Sequence, residues 1–184
     1  MYKLLYASII FINLTLIVNA GAETMILDDF KSDRQSQWNY ISDQVMGGVS
    51  EGNLLFDHDQ QEHYAQLTGQ VSTKNNGGFI QFRTDLKRMD KNSYQGIYAK
   101  VKGNNQKYFI HLRTKGTILP WQYYQSEFIA DNEWHIVKLP IESFTPSSKW
   151  LKSRIGVKNI RSLGMVAFGR DHNADLRVSE IGFY

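Results

Sequence analysis

Cysteine is absent from the 184 residues, and proline occurs only three times. The missing thiols exclude thiolate metal sites, disulfide frameworks and cysteine nucleophiles, leaving five histidines for metal or acid–base chemistry. A strong charge of one sign is missing too, since 21 Lys and Arg stand against 18 Asp and Glu for a formal net charge of +3. That balance is too small and too mixed to mark a nucleic-acid binder. The glycine pairs 47–48 and 77–78 match neither GxGxxG nor GxxxxGK[ST], so no phosphate-loop nucleotide site is expected. What is present is 42% hydrophobic and 13% aromatic content over a length that suits one globular domain able to bury its own core.

The long apolar run stands at the start. After Lys3 it covers 4–12 and continues through Leu14, Leu16, Ile17 and Val18. Small residues follow at 18–20 and 20–22, so an export signal over 1–22 is expected, with the mature chain opening at Gly21 or Glu23. The rival reading is an uncleaved anchor. Asn13 and Thr15 interrupt the run, which is shorter than the roughly 20 apolar residues that span a bilayer. The expectation is an exported protein, periplasmic or secreted, with one domain over 23–184 that does not span the membrane.

From Ile26 onward, short β-branched and aromatic runs are separated by Gly, Asn, Asp and Ser clusters, the spacing of a β-sandwich or barrel. The clearest strands are 79–83, 96–102, 107–113 and 134–139, with 162–168 and 176–184 as two further candidates that close the chain. In the second, Ile97, Ala99 and Val101 share one face, predicted to be core. The turn 103–105 predicts an antiparallel hairpin between the second and third. Helical turns are expected only at 33–38 and 141–144.

Candidate chemistry is sparse. His58 and His63 lie in a polar stretch without the HExxH spacing, so no zinc site is expected. Asp28, Asp29 and Glu180 would offer oxygen ligands to calcium if the first and last strands pair, against a reading as strand-edge charges. Asp171 and His172 would offer an acid–base pair, against a reading of their segment as a solvated turn between the last two strands. No catalytic residue, cofactor or metal is assigned, and the protein is expected not to be an enzyme. The middle of the chain is richer: His111 and Arg113 share a strand face with Phe109, and Trp121, Tyr123 and Tyr124 follow. Rings beside polar donors suit a peptide or sugar surface, against a reading as core filling.

The segment 38–50 carries Trp38, then Asp43, Val45, Met46, Gly47, Gly48 and Ser50. It resembles the W, D-x-V-M-G-G-x-S signature of the complex I intermediate-associated protein 30 family, also called the NADH:ubiquinone oxidoreductase intermediate-associated protein 30 domain. Gly77, Gly78, Arg83, Tyr94, Gly96, Trp121, Phe128, Trp134, Pro140, Phe144 and Gly164 continue the match in order. The resemblance implies an all-β, antiparallel jelly-roll sandwich of the galactose-binding-domain-like kind. It also implies a non-enzymatic protein-binding or assembly-factor module, since mitochondrial members are chaperone-like factors for respiratory complex I. The leader in place of an Arg-rich presequence marks an exported, bacterial-type member. No Rossmann fingerprint accompanies it, so the family name implies no cofactor. Within the signature, Trp38 reads as a core anchor, Asp43 as an acceptor of backbone hydrogen bonds and the glycines as a bend, with a recognition site as the functional rival. The alternative to a protein partner is a glycan, bound by a carbohydrate-binding module of the cell envelope.

Overall fold

A computed structural model of the chain describes residues 24–31, 37–60, 62–86 and 94–184. The expected export signal lies outside the described residues, as does most of the turn expected over 33–38. Twelve strands are described, in two six-stranded sheets whose pairings are all antiparallel. In the first sheet, β3 (Glu51–His58), β4 (His63–Val71), β12 (His172–Phe183), β6 (Gly96–Gly103) and β9 (His135–Pro140) lie in that order, with β1 (Met25–Asp28) paired to the end of β12. The second runs β10 (Thr145–Pro146), β8 (Tyr124–Ala130), β7 (Gln106–Thr114), β11 (Ile160–Phe168), β5 (Phe79–Asp85) and β2 (Asn39–Ser42). The arrangement is an all-β sandwich of the jelly-roll kind.

Alternation along each strand decides what the sandwich encloses. Ile97, Ala99 and Val101 of β6 are fully buried in the core, facing Ile80 and Phe82 of β5, Tyr108, Ile110 and Leu112 of β7, and Leu163 and Met165 of β11. The long strand β12 would lose this phase without a correction. Leu176 and Val178 point inward, and so do Ile181 and Phe183, which have the opposite parity. A register shift between Val178 and Glu180 makes the change, because one extra residue in a strand swaps its faces.

The hairpin predicted at 103–105 is not formed. β6 belongs to the first sheet and β7 to the second, so this turn carries the chain across the sandwich. Its backbone pairs instead with the end of β8, where Gly103 N donates to Asp131 O and Asn105 N to Ala130 O. Turn composition sets the bend and leaves the partner to the wider packing. A short 3-10 turn does occupy Ile141–Ser143.

Phe82 has no exposed surface and takes Trp38 edge-on at 5.2 Å between ring centroids. Phe82→Ala is therefore expected to cost about 3–5 kcal/mol of stability, read from urea unfolding midpoints at unchanged m-value.

Candidate functional site

The outer face of the second sheet collects an aromatic cluster. His111 of β7 stacks on Tyr123, which precedes β8, at 4.1 Å between centroids and 11° between planes. Phe168 of β11 meets His111 edge-on at 5.3 Å and Phe109 at 5.7 Å. Burial pushes the His111 pKa down to about 3, against a smaller upward pull from the Gln125 side chain across the strand pair. The two groups are near without bonding, since His111 Nε2 and Gln125 Oε1 both lack a hydrogen-bond partner. At neutral pH His111 is thus an uncharged ring in the stack.

Arg113 shares the outer face, and its Nη2 donates to Leu119 O at 3.0 Å, holding the loop after β7. Trp121 in that loop is 58% exposed, a ring with an open face. Tyr124 does not join the others. Consecutive strand residues point to opposite faces, so with Tyr123 outside Tyr124 goes into the core at 2% exposure. The outer face gains Phe168 and Gln125, whose nearness to His111 depends on strand pairing that sequence alone does not display.

The signature segment is built around one carboxylate. Asp43 is fully buried after β2, in the short 3-10 turn Asp43–Met46. Its Oδ1 accepts from Ser50 N at 2.9 Å, and its Oδ2 accepts from Ser50 Oγ and Gly78 N, each at 2.5 Å, and from Phe79 N at 3.2 Å. Burial alone would raise its pKa, but the Ser50 hydroxyl and the backbone N–H groups of Gly78, Ser50 and Phe79 outweigh it and hold the carboxyl below its ordinary value. The glycines make room. A Cβ at Gly48 would lie 2.3 Å from Asp43 Cγ, and Gly47 caps the turn at φ +91°, in the left-handed region. Trp38 is buried beside this turn's strand, its indole Nε1 donating to Asp28 Oδ2 at 2.8 Å.

The loop's apolar side chains go the other way. Val45 is 75% exposed, Met46 53% and Val49 42%. Residues 48–52 also spell G-x-S-x-G, yet Ser50 has no exposed surface, donates its hydroxyl to Asp43 and leads into β3, unlike a nucleophile at a strand-to-helix elbow.

The remaining candidates separate. β1 and β12 do pair, but Asp28 accepts from Trp38 and Phe30, Asp29 lies beside Lys31, and Glu180 accepts from Tyr98 at 2.7 Å. No group of three or more His, Asp or Glu suited to a metal is found among the described residues. Asp171 accepts from Thr73 N and Oγ1, while His172 Nδ1 contacts Arg170 O. Among the described residues no helix is long and apolar enough to cross a membrane.

With the signature's geometry in view, comparison with known families is decisive over most of the length. The profile of complex I intermediate-associated protein 30 matches residues 28–178. The chain belongs to that family. No curated protein matches the chain. Among solved structures, the family 11 carbohydrate-binding module of cellulosomal cellulase Lic26A-Cel5E of Clostridium thermocellum is similar at a TM-score of 0.71 and 14% identity, covering 89% of this chain and 95% of that one. The same figures, with 96% of the neighbour covered, hold for that Clostridium thermocellum module in complex with a β-1,3-1,4-mixed-linked tetrasaccharide. A family 30 carbohydrate-binding module follows at a TM-score of 0.53 and 12% identity, covering 74% of this chain and 91% of that one. At such identities the likeness is one of fold. In this family member the signature is therefore a hydrogen-bonded clasp on the edge of a sandwich shared with carbohydrate-binding modules.

Two measurements check this description. Asp43→Asn places an amide against the Gly78 N–H, and it is expected to cost about 1–3 kcal/mol in urea unfolding at pH 7. The unfolded His111 takes up a proton near 6.5, the folded one only near 3, so its contribution to stability is complete above pH 6.5 and is lost as pH falls toward 3. The stability difference between wild type and His111→Phe should be constant above pH 7 and should move in the variant's favour below 6.5.

Proposed function

We propose that this protein is a non-catalytic recognition module of the assembly-factor kind, holding a protein partner through the signature loop. The observation that carries this reading is the contrast within 43–50: a backbone pinned by a buried carboxylate, with Val45, Met46 and Val49 turned to solvent. Apolar side chains exposed together mark contact surfaces. A backbone already held in one conformation loses less entropy on docking. Met46 adds an unbranched side chain that adapts to an irregular partner. Membership of the complex I intermediate-associated protein 30 family supports a protein as the partner. The leader reading places the encounter outside the cytoplasm.

A second reading, a glycan bound on the outer face of the second sheet, is favoured by the open ring of Trp121 beside Tyr123 and by the fold shared with carbohydrate-binding modules. A photo-reactive residue at position 46 separates the two. The first reading predicts one discrete cross-linked partner, captured in the producing cells and lost in Val45→Asp, a surface change that leaves the melting temperature within a few degrees. Saturable binding to a mixed-linked β-glucan, lost in Trp121→Ala and accompanied by no discrete cross-link, would select the second.

A further inference from the structure

At the opposite end of β5 from the signature clasp, the second sheet opens into a cavity of about 510 Å³. Among the described residues, Arg83, Arg113, Lys115 and Arg161 line it, facing a single carboxylate, Asp85. The pairing that brings them together is explicit. Asp85 and Arg113 both stand opposite Ser162 of β11, and Arg83 stands opposite Gly164 two residues on. Arg161 arrives by a β-bulge: Thr114 pairs with Ile160 and Arg113 with Ser162, leaving Arg161 as the extra residue of β11. Bulges of this kind re-aim a side chain, and here the re-aimed side chain is a third guanidinium.

These cations have few partners of their own. None of the four enters an ion pair among the described residues. Arg113 spends one nitrogen on the carbonyls of Thr117 and Leu119, and no side-chain hydrogen bond is found for Arg83, Lys115 or Arg161. Burial and then the charges of Arg83 and Arg161 depress the Arg113 pKa, against an upward pull from Asp85. Like charges held in one concave site raise one another's energy, and an oxyanion between them removes that cost. The planar guanidinium fork suits the oxygen spacing of such an anion.

We infer that this cavity binds a multiply charged oxyanion of the phosphate or sulfate class, either free or as the head group of a lipid. Four cations against one carboxylate favour a dianion over a single carboxylate ligand. The lipid source is raised by Ile118, which lines the same cavity while being 83% exposed. The site is distinct from the signature loop and shares only Arg113 with the outer-face surface of the second reading. It lies about 20 Å along β5 from the Asp43 clasp, at 3.3 Å rise per residue, and it uses none of the exposed rings.

The test is an amide ¹H–¹⁵N titration of the protein with inorganic phosphate and with sulfate, against sodium chloride at matched ionic strength. Saturable shifts at residues 83–86, 113–118 and 160–162 are expected, weakened at least about tenfold in Arg161→Gln. Arg161 is exposed and its side chain carries no hydrogen bond, so this variant should keep its fold; an unchanged melting temperature checks that, and Arg83→Gln serves as an independent second variant. Co-sedimentation with vesicles containing phosphatidic acid, whose phosphomonoester head group can carry two charges, and not with phosphatidylcholine vesicles, lost in Arg161→Gln, assigns the oxyanion to a lipid. A phosphate or sulfate response without vesicle binding assigns it to a soluble ligand. Shifts no larger than those from chloride together with no preference for anionic vesicles overturn the inference, as does binding that survives in both Arg161→Gln and Arg83→Gln.

Discussion

A carboxylate removed from water must find donors or give up its charge, and the way Asp43 meets this demand shapes one end of the molecule. Its two oxygens accept from Ser50, seven residues on, and from Gly78 and Phe79, more than thirty residues on. Those contacts tie the turn after β2 to the entry of β3 and the start of β5. They also explain the glycines on either side, since a Cβ at Gly48 or Gly77 would fall within 2.4 Å of an Asp43 atom. The network extends one step further, where Ser72 N donates to Ser50 Oγ and brings the end of β4 into the same knot. A loop held at so many points can leave Val45, Met46 and Val49 in solvent without collapsing onto them.

The two sheet faces divide the remaining work. The inner face carries the folding free energy through a continuous apolar layer, and its demands are simple enough that a bulge in β12 suffices to keep Ile181 and Phe183 in phase. The outer face of the second sheet is free to carry chemistry, and it does so in two separate parts. A ring cluster, His111 stacked on Tyr123 with Phe168 edge-on to both, occupies the middle. A group of guanidiniums occupies the end that receives Arg161 from the bulge in β11. Both parts exist because adjacent strands present the same parity at paired positions.

Period-two patterns made much of the sandwich legible: 79–83, 96–102, 107–113 and 162–168 lie within or on observed strands, and Ile97, Ala99 and Val101 face the core. Less visible were β3 and β4, where His58 and His63 read as one polar loop; their rings stack at 5.3 Å across the end of a hairpin. Tyr124 neighbours Tyr123 in sequence, yet alternation sends the two to opposite faces. The turn at 103–105 is a bend, as its composition predicts, and not a hairpin, because nothing local to Gly103, Asn104 and Asn105 states that the next strand joins the other sheet. Register hides the basic cavity in the same way. Arg83, Arg113 and Arg161 are far apart in the chain, and only the pairing of β5, β11 and β7, with its bulge, brings them into one site.

An ionised Asp43 serves as acceptor for the loops around it. The most direct measurement is the ¹³C chemical shift of its side-chain carboxyl followed as pH is lowered. An ionised shift is expected to persist below pH 3.8, the ordinary value for an aspartate, until the protein itself unfolds. A carboxyl that titrates at or above that value while the fold remains intact would contradict this role for Asp43.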